Sequence, residues 1–158
     1  KVILSGIGFI FKKNIIFAKN NKMKKIFRTI ELLAVIFLVG CGENMEKSRN
    51  YYDKGMDYLY STQYEEAIEY FTKAIKYHSE NFEAYFYRGC AKYNSMMKKD
   101  ALDDYNKAIE INPKYDQAYF NIGLYYRSIN DYDMACFYFK KAEELGRPNM
   151  EDYTKFCR

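Results

Sequence analysis

The chain has 158 residues, enough for one domain with a sizeable core. Its formal charge of +4 hides a division: residues 1–40 hold 8 Lys/Arg and 1 Glu, whereas residues 41–158 hold 17 Lys/Arg and 20 Asp/Glu. The larger part is therefore mildly acidic, which removes electrostatic support for general nucleic-acid binding.

Residues 1–22 open without methionine, are rich in Lys, Asn, Ile and Phe, and show no sustained period. They read as a fragment or a stretch upstream of the true start, absent from the mature protein; a genuine leader is the alternative. The first reading is preferred because Met23 begins a recognisable pattern. Residues 23–40 have a basic start (Lys24, Lys25, Arg28) and an apolar core from Leu32 to Val39. This is the layout of a secretory signal peptide. A transmembrane helix needs about 20 apolar residues, and this run is shorter and bounded by Arg28 and Glu31. Glu31 is awkward so near a signal core, so an uncleaved anchor or a cytosolic segment stay open as alternatives. The end, Leu38-Val39-Gly40-Cys41, resembles the bacterial lipobox. That resemblance implies that the Cys41 thiol receives diacylglycerol and that Cys41 becomes the N-terminus. The protein is then expected to be lipid-anchored at the cell membrane or outer membrane, extracytoplasmic, with residues 41–47 as lipidated cysteine and tether.

From Ser48 to Asn149 one 34-residue unit is written three times. Glycine recurs at Gly55, Gly89 and Gly123, and alanine at Ala67, Ala101 and Ala135. An aromatic follows at Phe71, Tyr105 and Phe139, then alanine again at Ala74, Ala108 and Ala142. The alanine–aromatic–alanine series (i, i+4, i+7) marks one helical face. Small residues in fixed columns mark places where two helices come close. These columns are similar to those of the tetratricopeptide repeat, which implies that each unit is a helix–turn–helix, its first helix carrying Tyr51, Tyr85 or Tyr119 and the glycine and its second the alanine pair. Thr62-Gln63-Tyr64-Glu65 has the form of a capping box, and Asn130 with Asp133 is a weaker version. Pro113 closes the second unit.

The period and columns resemble the tetratricopeptide repeat. The resemblance implies an all-α, right-handed superhelical solenoid of three units, 48–81, 82–115 and 116–149. A C-terminal capping helix in 150–158, using Met150, Glu151, Asp152, Tyr153 and Phe156, would cover the open end. Departures from the family pattern are Lys54 and Arg88 where leucine is usual, and Lys92 where tyrosine is usual. Ser79 and Arg147 also stand where proline is usual. The resemblance further implies that the first helices line a concave groove for an extended peptide or a partner helix. Carried over by position, the contacts are Tyr52, Asp53, Met56 and Tyr60 from the first unit. The second gives Phe86, Tyr87 and Tyr93, and the third Phe120, Asn121, Leu124 and Arg127. Arg49, Leu59, Glu83, Cys90, Asn94, Gln117 and Ser128 fall in the same columns. Some members of the family clamp a terminal carboxylate there; Asn121 and Arg127 would supply part of such a clamp, and Asp53 would oppose it. Some of the aromatic stripe is expected to pack within the molecule.

Reactive chemistry finds little support. The cysteines are Cys41, Cys90, Cys136 and Cys157, with no CxxC pair, and His78 is the one histidine. A metal site is therefore not expected. Cys90 and Cys136 read as small hydrophobes in helix packing, and Cys157 as exposed. His78 falls near a helix C-terminus, which suits an imidazolium. Glu65-Glu66, Asp103-Asp104 and Glu143-Glu144 read as solvated outer faces. No phosphate loop, dinucleotide fingerprint or calcium loop is present, so no cofactor and no catalysis are expected. The expected function is a membrane-tethered module that binds a protein or peptide in the cell envelope. A self-associating solenoid forming homo-oligomers, or a cytoplasmic adaptor, is the alternative.

Overall fold

The structure, a computed structural model, describes residues 21–157, with side chains for 25–33 and 42–157. The expected upstream segment therefore lies outside the described residues except at its last two positions, and so does the Cys41 side chain. The chain divides into two compact units, Lys1–Glu43 and Asn44–Arg158.

The described part of the first unit is the beginning of α1 (Asn21–Tyr60). Ile26, Ile30, Leu32 and Leu33 are exposed along it. Among the described residues, no helix is long and apolar enough to cross a membrane. Residues 42–47, expected as a tether, are helical within α1. The physical reason is composition: after Gly42, the Glu, Met and Lys of this stretch all favour helix.

In the second unit the end of α1 is followed by α2 (Tyr64–Tyr77), then α3 (Phe82–Asn94) and α4 (Lys98–Ile111). Next come α5 (Asp116–Ser128), α6 (Tyr132–Glu144) and the single turn α7 (Glu151–Thr154). Among the described residues there is no strand. Helices pair within the second and third repeats, those of the first meet where Gly55 and Tyr52 contact Phe71, and each second helix packs on the first helix of the next repeat, giving the expected solenoid.

The glycine and aromatic columns meet as ring against bare backbone. A Cβ on Gly55, Gly89 or Gly123 would stand 2.7, 2.7 or 2.5 Å from a ring carbon of Phe71, Tyr105 or Phe139. Glycine costs about 1 kcal/mol against alanine inside a helix, and the ring seated on its backbone is what offsets that cost. Both alanine columns are buried, joined by Ala84, Ala91 and Ala118, which the repeat pattern did not single out.

The turn inside each unit corrects the capping boxes. Thr62, Met96 and Asn130, again 34 apart, adopt positive φ of 58°, 66° and 63°. The next amide reaches back five residues: Gln63 N–H to Tyr58 O at 2.9 Å, Met97 to Lys92 at 2.9 Å, and Asp131 to Tyr126 at 3.0 Å. This is a Schellman C-cap, made here without glycine. It pushes the following N-cap one residue along, to Gln63, Met97 and Asp131. Thr62 and Asn130 therefore end a helix instead of starting one. Asp131 is the residue that caps α6, its Oδ1 accepting from Met134 N–H at 3.1 Å.

Two further expectations change. Asp104 is buried, 4 % exposed, and is not part of a solvated face. Arg88 holds it with two bonds of 2.9 and 2.7 Å, and Lys92 adds a third contact at 2.8 Å. The unusual Arg88 and Lys92 thus have one explanation, a shared carboxylate. Second, Cys136 is not a free packing residue. It is bonded to Cys157, tying α6 to the C-terminal segment with a Cα–Cα distance of 5.4 Å.

The cap closes the third unit through Met150, which is buried, and Tyr153. The Tyr153 ring lies 4.9 Å from Phe120 and 5.2 Å from Phe139. Phe156, expected to help cover this end, is 78 % exposed.

Candidate partner-binding face

Each first helix turns its fifth-column aromatic toward its own second helix. Tyr52 lies 5.8 Å from Phe71, Phe86 5.8 Å from Tyr105, and Phe120 5.6 Å from Phe139, ring to ring. The degree of burial then separates them. Phe86 is 5 % exposed and belongs to the core, so its expected role as a surface contact is corrected: rings on both sides enclose it. Tyr52, Met56, Tyr87, Tyr93, Phe120, Asn121 and Leu124 are half-buried, while Asp53, Tyr60 and Arg127 are exposed.

The first two units bring several of these residues together. Tyr87 meets Tyr52 edge-on at 6.0 Å, Phe71 at 6.2 Å and Phe86 at 5.0 Å, so one tyrosine joins the two repeats. Tyr115, in the loop before α5, packs edge-on against Phe86 at 5.0 Å and Phe82 at 4.9 Å. Tyr115 falls outside the groove columns and was missed; no sequence signal separates it from other inter-helix aromatics. Burial raises the phenol pKa of Tyr52 above its ordinary 10.0, with Tyr87, Glu83, Tyr60 and Asp53 adding to the rise. Tyr115 is raised in the same way, by burial first and then by Tyr87, Glu83, Tyr52 and Cys90. All three phenols stay neutral donors at physiological pH, since burial likewise raises Tyr87.

The third unit is arranged differently. Asn121 stands where the second unit has Tyr87, and its Nδ2 donates to Cys90 Sγ at 3.4 Å. Burial pushes the Cys90 thiol up to about 11, against a partial offset from bonds with Tyr105 and Asn121. That thiol is a packing group and not a nucleophile. Arg127 lies over the rings of Tyr153 and Phe139 at 5.2 and 5.7 Å. The two residues considered for a carboxylate clamp are thus each engaged elsewhere, one on a thiol and one on the cap.

This geometry defines a class: a helical-repeat solenoid with an aromatic face on its first helices. Three models described as Tetratricopeptide repeat match residues 52–92, 82–115 and 104–137, and the chain carries tetratricopeptide repeats. Among solved structures it is similar to the Arabidopsis OM64 TPR domain, at 28 % identity and a TM-score of 0.68. That match covers 72 % of this chain and 95 % of that one. It is also similar to the first TPR of Spaghetti (RPAP3) bound to the HSP90 peptide SRMEEVD. There the identity is 23 %, the TM-score 0.65, and the coverage 71 % of this chain and 90 % of that one. The Sgt2 TPR domain from Aspergillus fumigatus matches at 24 % identity and a TM-score of 0.63, covering 69 % and 75 %. No curated protein matches the chain in sequence.

Proposed function

We propose that this chain is a protein-interaction module that binds a peptide or protein partner on the first-helix face of its repeats, tethered in the bacterial cell envelope through lipid on Cys41. The observation that carries the binding reading is the ring cluster across two units in which half-buried Tyr52 meets Tyr87 and both Tyr87 and Tyr115 pack on Phe86, with Tyr60, 78 % exposed, near Tyr52 and Tyr87. Tyrosines of this kind give large rigid contact area with a polar tip, the usual material of binding hot spots. The Spaghetti repeat shares the fold and holds a peptide.

Two observations support the compartment. The Cys136–Cys157 disulfide belongs to an oxidising environment, and exposed Ile26, Ile30, Leu32 and Leu33 suit a segment destined for lipid or for removal. The deciding experiment is the intact mass of protein extracted from the membranes of its native host. A chain starting at acylated Cys41 is expected; an unmodified chain retaining residues 23–40 would sink the tether and move the partner search to the cytoplasm. For the binding face, Tyr60→Ala, at an exposed position, should weaken capture of a cross-linked partner while leaving the circular dichroism spectrum unchanged.

A second reading, self-association, is favoured by the end of the solenoid. Tyr132, Phe137 and Phe156 are exposed there, and Arg127, Phe139 and Tyr153 help line a hollow of about 470 Å³. Sedimentation equilibrium decides it. A dimer that Phe156→Ser dissolves would favour stacking, and a monomer at high concentration would remove it.

A further inference from the structure

The third unit shows what the aromatic column can hold. Arg147 lies over the ring of Phe120, 4.0 Å from its centroid, while its Nη1 donates to Asp116 Oδ2 at 3.2 Å. A cation on a groove-column ring, with a carboxylate beside it, is thus already built once by this chain. Such a pair suits a lysine or arginine because the ring face attracts the charge and the carboxylate replaces part of its lost hydration.

The first two units present the same chemistry without the cation. Tyr52 meets Tyr87, Tyr87 and Tyr115 both pack on buried Phe86, and exposed Tyr60 lies near Tyr52 and Tyr87. Among the described residues, lysines and arginines lie over Tyr51, Tyr70, Tyr77, Tyr85 and Tyr93, but none over these four. The charged residues in the groove columns of these units are Asp53, Glu83 and Arg49, all exposed. Of these, the two carboxylates are the ones whose fields reach Tyr52, and Glu83 also acts on Tyr87 and Tyr115. Asp53 and Glu83 would repel an acidic tail such as the one in SRMEEVD.

We infer that the face formed by Tyr52, Tyr60, Tyr87 and Tyr115 with Asp53 and Glu83 selects a partner segment carrying lysine or arginine among apolar residues. This rests on the peptide-binding reading above and adds the charge of the ligand.

The test uses three fluorescein-labelled, C-terminally amidated probes, Leu-Lys-Leu-Lys-Leu, Leu-Gln-Leu-Gln-Leu and Leu-Glu-Leu-Glu-Leu, titrated with the full chain and read by fluorescence polarisation. The lysine probe should bind at least tenfold tighter than the glutamine probe, and the glutamate probe weakest. Rising salt should shrink that spread, as screening predicts for exposed carboxylates. Asp53→Lys with Glu83→Lys, both at exposed positions, should invert the order, while Tyr60→Ala should weaken all three probes. If the glutamate probe binds native protein as tightly as the lysine probe and Tyr60→Ala weakens both, the charge inference is overturned and the binding face survives. If no probe responds to Tyr60→Ala, or none binds at millimolar protein, the binding face itself is wrong and the inference falls with it.

Discussion

Lys92 meets Asp104 at 2.8 Å in the second unit, at the two columns where the first and third units stack tyrosine on tyrosine. Tyr58 and Tyr70 lie 5.1 Å apart in the first unit, and Tyr126 and Tyr138 5.5 Å apart in the third, both nearly parallel. One repeat has therefore exchanged an apolar stack for an ion pair, with Arg88 completing the set. Removing one member of such a buried group leaves the others uncompensated, at a cost of about 3–5 kcal/mol. Asp104→Ala is expected to lose about 3 kcal/mol in urea melts. Grafting the third unit's residues as Arg88→Ile, Lys92→Tyr and Asp104→Tyr should give a protein at least as stable as the parent. A graft as unstable as Asp104→Ala would show that the ion pair, and not its removal, sets the packing.

The bare backbone at Gly89 is a contact surface. A Cβ there would stand 2.7 Å from Tyr105 Cε1 and 3.2 Å from the carbonyl oxygen of Ala101, and the latter cannot swing away. Gly89→Leu should cost about 1–3 kcal/mol by overpacking, and Tyr105→Ala in the same chain should recover part of the loss. The coupling is read by a double-mutant cycle on thermal unfolding. Independent, additive effects would place the clash elsewhere.

The left-handed turns carry strain that glycine would relieve. Met96 has φ of 66° and its side chain is exposed. For an L-residue this conformation costs roughly 1–2 kcal/mol. Met96→Gly is expected to raise stability by about 1 kcal/mol, Thr62→Gly by at least as much because threonine is β-branched, and Asn130→Gly by less because asparagine tolerates the region. A lower melting temperature for Met96→Gly would contradict the Schellman geometry.

Alkaline pH should unfold the protein earlier than its size suggests. Burial holds the phenols of Tyr52, Tyr105 and Tyr115 above the ordinary 10.0, and the thiol of Cys90 at about 11 against an ordinary 9.0. Above those ordinary values the unfolded chain gives up protons that the folded chain keeps. Stability is then complete below about pH 9 and declines as pH rises further. Urea midpoints at pH 8, 10 and 11 should fall progressively, and Tyr105→Phe should flatten the decline. A midpoint independent of pH over that range would mean these groups are solvated.

The repeat, its register and its helical class were legible from the sequence because each column answers a local demand. Glycine recurs where a ring touches backbone, and alanine recurs where helices cross. The groove columns were legible as positions but not as surfaces. Phe86 and Phe120 occupy one column, yet Phe86 is enclosed by Tyr87 and Tyr115, while Phe120 is closed by Tyr153 and Arg147. What lies over a residue in a solenoid comes from another helix or loop of its own unit or from beyond it, and a column says nothing about that neighbour. Contacts between separate helices likewise hid the burial of Asp104, which pairs with Arg88 sixteen residues earlier in the same unit, and the pairing of Cys136 with Cys157 across the cap. The one-residue shift of the expected caps has a local cause: the left-handed turn moves the helix start, and neither Thr62 nor Asn130 is the glycine that would announce it. Sequence by itself thus determined the unit, its period and the faces that must be small. Tertiary structure alone decided which aromatics remain exposed, because exposure depends on the rings and cations that other helices and the cap bring over each one.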